Sequence, residues 1–382
     1  MKDSWENLTI NDIVEDISDG GTPPRTDSEN FGGSIPWVVI DDIKSEIYTT
    51  KEYLSEKGFK NCSSKLWPIN TLILSTGATI GEVGLAKVPL TTKQGIAGIK
   101  LKEIIDIDYA YYIFLSLKNE IQRLSQGSTI QEIRPKYLKQ IGVKITNNKL
   151  QQRKIASILS TCDEVIEKTE AAIAKYQALK QGMMHDLFTR GIDVNTGKLR
   201  ASYQDAPELY KESKLGMIPK DWGVKELGEM TTKIVDGTHF TPTYTESGVP
   251  FLRVTDVQTD KINFDKIKFV SETEHKQLIL RCNPEKGDIL YSKNGTIGIP
   301  KLVDWDWEFS VFVSLALIKP KKEIIRPEYL MLLLPEDLIW KQIRQRTKQG
   351  TVANLHLEEI REFLIPLPNF NEQEAIFHRG DI

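Results

Sequence analysis

The chain has 382 residues and a formal net charge of −3, and with 40% hydrophobic and 27% charged residues it has room for two globular domains. It has no run of about 18 apolar residues and no basic, apolar N-terminal segment, so we expect no membrane span and no signal peptide. The distant cysteines Cys62, Cys162 and Cys282 predict reduced, buried thiols, no metal site and a cytoplasmic protein. The small negative charge argues weakly against nucleic-acid binding but leaves room for a basic face.

Residues 1–146 have the pattern of a mixed α and β domain. Three segments rich in β-branched residues are predicted strands: LILST (72–76), LKEIIDI (101–107) and IGVKI (141–145). KNEIQRLSQ (118–126) is a predicted helix that ends at Gly127. Polar loops separate these elements.

Residues 147–190 have the pattern of a single long helix. Apolar residues recur there at alternating spacings of three and four, which is the heptad pattern of a coiled coil. Asn147 or Asn148 is suited to cap its start and Gly191 to close its end. A rod of this kind, roughly 60 Å long, cannot bury its apolar stripe alone, so we expect a partner helix; the alternative is packing on its own domain. The stripe comprises Ile155, Ile158, Val165, Ile173, Tyr176, Leu179, Met183 and Leu187.

Residues 191–216 show no periodicity and are predicted to form an extended connector. Residues 217–368 have the pattern of a second mixed domain, in which 335–348 is a predicted helix that ends at Gly350. Residues 369–382 match the start of the long helix, and we expect them to begin a second helix whose remainder is absent.

One plan occurs twice along the chain, with matching blocks about 215–222 residues apart. Clear pairs are IVEDISDGGTPPR (13–25) with KIVDGTHFTP (233–242), IPWVVIDDI (35–43) with VPFLRVTDV (249–257), and LILSTGATIG (72–81) with ILYSKNGTIG (289–298). Polar, glycine-containing blocks match as well as apolar ones. This favours a shared binding task over plain duplication of a structural domain.

The polar loops carry side chains suited to hydrogen bonding with base edges and phosphates. In the first copy the candidates for DNA binding are Thr22, Arg25, Thr26, Ser75, Thr76, Thr79, Lys93, Gln94, Gln126, Ser128, Arg134 and Lys136. In the second copy they are Thr238, His239, Thr241, Ser292, Lys293, Asn294, Thr296, Arg346, Lys348, Gln349 and Thr351. For any one of them the alternative is a solvated loop residue.

Sequence signatures of catalysis are missing. There is no Walker A loop, no HExxH and no Asn-Pro-Pro-aromatic or Asp-Pro-Pro-aromatic run of an adenine methyltransferase, since Asn283-Pro284 is followed by Glu285. We therefore expect no catalytic residues, no metal and no cofactor in this chain.

Blocks in this order resemble the specificity subunits of type I restriction–modification enzymes. The markers are IPWVVIDDI, STGATIG, QGSTIQEI, ALKQGMMHDLFTRGI (178–192), LGMIPKDW (215–222), KGDILYSKNGTIG and NEQEAI. The resemblance implies an α+β fold with two similar target recognition domains, joined by a long coiled-coil helix in a pseudo-two-fold repeat. It also implies that each domain recognises one half of a bipartite, asymmetric site in double-stranded DNA.

The resemblance further implies partners. The long helices would act as a ruler and dock two modification subunits, which bind S-adenosylmethionine and methylate adenine, and a restriction subunit would cut DNA. Because the second helix is missing, we expect either that two chains pair through the first helix or that modification subunits cover its stripe. The alternative is a truncated, inactive version.

Two other functions remain open from the residues alone. A scaffold that joins proteins without touching DNA would have scattered polar loops, whereas a DNA-binding chain would bring them together on one face of each repeat. A free-standing methyltransferase or nuclease would need the catalytic signatures that are missing.

Overall fold

The two halves of the sequence fold around the same arrangement of sheets. In the computed structural model, the described residues are 5–77, 79–125, 132–259, 261–346 and 354–380. The chain divides into two units, Met1–Ala172 and Ile173–Ile382, referred to below as unit 1 and unit 2.

Unit 1 contains ten strands, five short helices and the first part of a long helix. Its strands are β1 (Trp5–Thr9), β2 (Val14–Asp19), β3 (Phe31–Val38), β4 (Glu46–Ile47), β5 (Glu52–Leu54), β6 (Leu72–Ser75), β7 (Val83–Ala86), β8 (Thr91–Thr92), β9 (Ile96–Leu101) and β10 (Gly142–Thr146). Its helices are α1 (Ile10–Ile13), α2 (Glu56–Lys60), α3 (Ile107–Ser116), α4 (Lys118–Ser125), α5 (Pro135–Leu138) and the start of α6 (Lys149–Thr189). These counts refer to the described residues.

Unit 2 adds the following elements within the same described ranges. The strands are β11 (Ile192–Asp193), β12 (Lys198–Leu199), β13 (Tyr210–Ser213), β14 (Gly216–Pro219), β15 (Gly223–Glu226), β16 (Thr231–Asp236), β17 (Tyr244–Thr245), β18 (Val249–Leu252), β19 (Lys268–Val270), β20 (Ile289–Ser292), β21 (Pro300–Leu302), β22 (Ser310–Val311), β23 (Leu315–Pro320) and β24 (Leu364–Leu367). The helices are α7 (Glu272–Leu278), α8 (Pro327–Leu333), α9 (Asp337–Arg346), α10 (Leu357–Arg361) and α11 (Phe370–Gly380).

Strand order confirms the repeat. The sheet β2-β9-β6-β7-β4 of unit 1 corresponds to β16-β23-β20-β21 of unit 2, and β5-β3-β8 corresponds to β19-β18-β22, to which unit 2 adds β17. The terminal pair β1-β10 likewise corresponds to β15-β24. The predicted fold class, two similar α+β domains with a long helix between the repeats, is therefore confirmed.

Each unit has its own apolar core, because helices cover one face of the sheet that contains β2 in unit 1 and β16 in unit 2. In unit 1, Leu72 and Ile99 of the sheet pack with Phe114 of α3. In unit 2, Ile289 and Ile318 occupy the corresponding sheet positions in the core.

The long helix α6 has 41 residues, and Asn148 caps its start by accepting hydrogen bonds from the backbone N–H groups of Leu150 and Gln151. Gly191 follows its end with a positive φ of 68°, a conformation that glycine adopts without strain. The prediction that the whole apolar stripe binds a partner was wrong at both ends, where the alternative of packing on the chain's own domains holds. Ile155 packs against the core of unit 1, and Met183 and Leu187 pack in unit 2.

The middle of the stripe is exposed, as the heptad pattern predicts for a helix without a partner. The exposed fractions are 55% for Ile158, 58% for Val165, 52% for Ile173, 69% for Tyr176 and 64% for Leu179. Cys162 is also exposed, contrary to the prediction of a buried thiol, because it lies on this uncovered stretch. Cys62 is half-buried and Cys282 is buried.

A buried glutamine fastens the first turn of a helix in each unit. The Gln152 side chain accepts a hydrogen bond from the Asp106 N–H (2.7 Å) and donates to the carbonyls of Ile104 (3.2 Å) and Thr146 (2.8 Å). Gln373 makes the same three bonds, with the Arg326 N–H (2.8 Å) and the carbonyls of Ile324 (3.2 Å) and Pro368 (3.0 Å). The start of α6 and α11 is thus tied to the same place in each unit.

Two predictions of local structure were wrong. LKEIIDI is not a strand: β9 ends at Leu101, and Asp106 caps α3 by accepting hydrogen bonds from the Asp108 and Tyr109 N–H groups. Residues 191–216 are not an extended connector, because they form the hairpin β11–β12 and most of the hairpin β13–β14.

The connector is also tied to α11 by a buried ion pair. Glu372 is fully buried, pairs with Arg200 and accepts hydrogen bonds from the Ile192 N–H (2.9 Å) and the Trp222 indole N–H (3.1 Å). The sequence of the connector has no periodic pattern, because its order comes from polar contacts between distant residues.

The glutamine contact predicts a stability difference between two positions on α6. Gln152→Met leaves three backbone groups without a partner, and we expect it to lower the free energy of unfolding by about 2–4 kcal/mol. Gln177→Met, the same change at an exposed position of α6, is expected to have little effect. Urea unfolding of the full chain measures both, and equal midpoints would contradict the assignment.

Candidate nucleic-acid interface

In unit 1 three polar loops meet at the end of strand β2. Asp19 accepts a hydrogen bond from the Thr76 hydroxyl (3.1 Å) and another from the Gly95 N–H (3.2 Å). The Thr76 N–H donates to the Gly95 carbonyl at 2.8 Å. The loops converge because β2, β9 and β6 are antiparallel neighbours, so the ends of β2 and β6 lie beside the start of β9.

A fourth predicted loop returns to the same place. The Ile133 N–H donates to the Thr76 carbonyl at 2.8 Å, and the Ile133 side chain is buried. The exposed residues Arg134 and Lys136 follow directly. Gln126 and Ser128 lie outside the described residues.

The predicted DNA-binding residues of unit 1 fall into two groups. Exposed side chains belong to Thr22, Arg25, Thr26, Thr79, Gln94, Arg134 and Lys136, and Lys93 is half-buried. Ser75 and Thr76 are buried, so the prediction that they contact DNA was wrong. The Ser75 hydroxyl instead donates to the Thr79 carbonyl and accepts from the Glu82 N–H, which fixes the shape of the loop that presents Thr79.

Arg25 is held in place by its neighbours. Its guanidinium makes two hydrogen bonds to the Glu52 carboxylate (2.8 and 3.0 Å) and lies over the rings of Phe31 and Trp37, at 5.0 and 5.3 Å from their centroids. The hydrogen bonds that Arg25 donates to the Glu52 carboxylate raise the pKa of Arg25. The exposed guanidinium is therefore charged and restricted in orientation.

Unit 2 repeats the convergence around Asp236, the last residue of β16. The Asp236 carboxylate accepts from Arg281 (2.6 Å) and contacts His239 (3.2 Å) and Lys293 (3.3 Å). The Lys293 carbonyl accepts from the Leu355 N–H at 2.9 Å, which corresponds to the contact of Ile133 in unit 1.

The buried Asp236 carboxyl is kept ionised by the side chains around it. Burial raises the pKa of the Asp236 carboxyl, but hydrogen bonds from Arg281, His239 and Lys293 outweigh burial and hold that pKa below its usual range. The carboxylate therefore stays ionised and attracts all three side chains.

The predicted residues of unit 2 again divide by burial. His239, Thr241 and Thr296 are exposed and Asn294 is half-buried. Thr238, Ser292 and Lys293 are buried, so their predicted direct contact with DNA was wrong; Ser292 accepts from the Ile299 N–H (2.8 Å), as Ser75 does from Glu82. The Arg346 side chain and the residues Lys348, Gln349 and Thr351 lie outside the described part.

Asp19, Asp236 and Arg281 were not among the predicted site residues. A signal existed for the two aspartates, because each precedes glycine in the matched blocks 13–25 and 233–242. Arg281 lies outside every matched block, and only the folded structure brings it to Asp236.

The exposed groups on the convergent loops are mainly hydroxyl, amide and cationic side chains, which suits a ligand rich in acceptors and negative charge. Among the described residues no cluster of His, Cys, Asp and Glu is arranged to hold a metal ion. Nor does that part of the chain contain a helix with the length and apolarity needed to cross a membrane.

Comparison with known proteins agrees with the repeat. The family model described as "Type I restriction modification DNA specificity domain" matches residues 2–175 and again 219–379. A crystal structure of the S subunit of a type I restriction–modification system from M. genitalium has a TM-score of 0.56 at 22% identity, and covers 100% of this chain and 90% of that one. That likeness supports the fold.

Curated relatives carry the same description. The MjaIX specificity subunit of Methanocaldococcus jannaschii is 28% identical over 375 residues, covering 95% of this chain and 83% of the relative. The EcoBI specificity subunit of Escherichia coli is 20% identical over 388 residues, covering 99% of this chain and 79% of the relative. Because the family model matches both repeats and most of the chain, this protein belongs to the type I restriction–modification DNA specificity subunits.

Proposed function

We propose that this chain recognises a bipartite, asymmetric site in double-stranded DNA and performs no catalysis itself. The observation that carries the proposal is the matched convergence of polar loops around Asp19 in unit 1 and Asp236 in unit 2. Convergence, rather than scattering, is what distinguishes a DNA-binding chain from a protein scaffold.

The two half-sites would differ because matched positions carry different side chains. Pro24 in unit 1 corresponds to Thr241 in unit 2, and Gly77 corresponds to Asn294, and none of these four residues is buried. Direct readout depends on the donors and acceptors presented to base edges, so units with one scaffold and different side chains recognise different bases.

Helix α6 would act as a ruler between the half-sites. Its 41 residues form one helix without proline, and at 1.5 Å per residue it is about 60 Å long. A continuous helix resists changes in length, so the spacer between the half-sites would depend on the number of residues in α6.

The exposed middle of α6 would bind partners. Ile158, Val165, Ile173, Tyr176 and Leu179 form an apolar stripe on one side of the helix, and burying apolar surface contributes about 25 cal/mol per Å². We propose that two modification subunits dock there, or that a second copy of the chain pairs with it. The modification subunits would bind S-adenosylmethionine and methylate adenine in the cytoplasm, and a restriction subunit would join the complex.

Loss of the gene is expected to remove one pattern of adenine methylation. Genome-wide mapping of methylated adenines, with and without the gene, should show a two-part motif with a fixed spacer that disappears in the deletion strain. Restoring the gene serves as the control. An unchanged methylation map in a strain that expresses the modification subunit would contradict the proposal.

Lengthening the ruler is expected to lengthen the spacer. Four residues inserted after Lys168 add about 6 Å to α6, close to two base-pair steps of roughly 3.4 Å. The methylated motif should keep both half-sites and gain spacer positions. The same insertion in the exposed turn 194–196 of the hairpin β11–β12 should leave the motif unchanged, and altered half-sites with a constant spacer would refute the ruler.

Charges placed on the apolar stripe are expected to weaken assembly. Val165→Lys combined with Ile173→Lys puts two cations where apolar surface would be buried, so the mass measured by light scattering should fall for a homodimer or for the complex with modification subunits. Ala178→Lys, on the same helix but off the stripe, is the control. A stable monomer at micromolar concentration would count against pairing of two chains, and normal assembly of the double variant with modification subunits would count against docking on the stripe.

A further inference from the structure

The loop ends of unit 2 carry a cluster of positive charge around a single carboxylate. Asp236 is 3% exposed and contacts Arg281 at 2.6 Å, His239 at 3.2 Å and Lys293 at 3.3 Å. Arg281 and Lys293 together carry two positive charges, and the Asp236 carboxylate carries one negative charge. The cluster therefore has a net positive charge even when His239 is neutral.

Two of these side chains face solvent. The side chains of Arg281 and His239 are 56% and 61% exposed, whereas that of Lys293 is 6% exposed. Arg281 uses Nη2 on the Asp236 carboxylate and Nε on the Asp236 carbonyl (3.4 Å). Its Nη1 has no hydrogen-bond partner among the residues that the structure describes, so the held guanidinium still offers donors to a ligand.

Around Asp19, the described residues of unit 1 form no such cluster, although the scaffold is the same. Asp19 binds two neutral groups, the Thr76 hydroxyl and the Gly95 N–H. The segment after α2 brings the buried Ser64 to this region, where its hydroxyl bonds to the carbonyl (2.8 Å) and the N–H (3.1 Å) of Thr92. In unit 2 the segment after α7 brings the exposed cation Arg281 instead.

We propose that Arg281 and His239, held by Asp236, bind a backbone phosphate of the DNA at the half-site of unit 2, and that the described residues around Asp19 in unit 1 provide no counterpart. This inference rests on the proposed DNA recognition. It adds Arg281 as a binding residue, a backbone phosphate as its ligand, and a difference between the two units. A planar guanidinium that is already oriented loses little entropy on binding phosphate and forms charge-assisted hydrogen bonds. A phosphate contact positions the duplex without selecting its sequence.

Salt dependence of binding distinguishes a phosphate contact from a base contact. Each phosphate that a protein neutralises adds about 0.9 to the slope of log affinity against log salt concentration. The experiment uses the complex assembled with its modification subunits. Fluorescently labelled duplexes carry either the intact methylated motif or the motif with the second half-site scrambled, and both are titrated at several salt concentrations.

Arg281→Gln removes the charge and retains a group that can bond to Asp236. We expect it to weaken binding to both duplexes by a similar factor, to reduce the salt slope by about one and to leave the methylated motif unchanged. His239→Gln should weaken both duplexes in the same uniform way.

Lys286→Gln is the matched control. Lys286 is 57% exposed and paired with Asp306 at 3.0 Å, but it precedes β20, at the opposite end of that strand from the Lys293 loop. The complex that carries Lys286→Gln should have the same DNA affinity and the same salt slope as the wild-type complex.

Three results would overturn the phosphate site while leaving DNA recognition intact. They are an unchanged affinity for Arg281→Gln, an unchanged salt slope, or a loss confined to the intact second half-site, which would make Arg281 a base contact. A wild-type complex that does not discriminate between the two duplexes would instead overturn the proposed recognition of this half-site. Thermal unfolding of each variant separates a loss of contact from a loss of fold.

Discussion

A carboxylate at the end of one sheet strand organises the candidate interface in both units. Asp19 is half-buried and Asp236 is buried, and a carboxylate with reduced access to water is stabilised by surrounding donors or cations, which favours packing of the loops that supply those partners around it. In unit 1 the partners are a hydroxyl and a backbone N–H, and in unit 2 they are two cationic side chains and an imidazole. The loops therefore converge on the carboxylate in the same way in both units, but the charge of the surrounding side chains differs between the two units.

The loops combine fixed supports with exposed side chains. Ser75 and Ser292 are both buried, and both accept a hydrogen bond from the residue directly before the strand that returns after the loop. Thr79 and Thr296 are exposed near the tips of those loops. Substitution of Ser75 or Ser292 is expected to lower the stability of the unit, because a buried donor or acceptor loses its partner. Substitution of Thr79 or Thr296 instead changes the groups that the loop presents to a ligand.

The sequence predicted the long helix and the repeat well, because both depend on patterns that run over many residues. It failed where one polar side chain decides the structure. LKEIIDI has the alternation of a strand, yet Asp106 caps a helix inside it. The connector has no periodicity, yet Glu372 and Arg200 give it order from a distant helix.

Some predicted DNA-binding residues are exposed and others are buried, and residue type alone does not separate the two groups. Polar residue types in a matched block predict a shared role, but they do not distinguish a side chain that faces the ligand from one that holds the loop, as Thr79 and Ser75 show. Arg281 illustrates the opposite failure, since it has no counterpart in the first repeat and no pattern could point to it. Differences between two copies of one scaffold are therefore as informative as their similarities. Residues that are both shared and buried, such as Ser75 and Ser292, identify the supports, and unmatched exposed residues such as Arg281 identify where recognition of the two half-sites can differ.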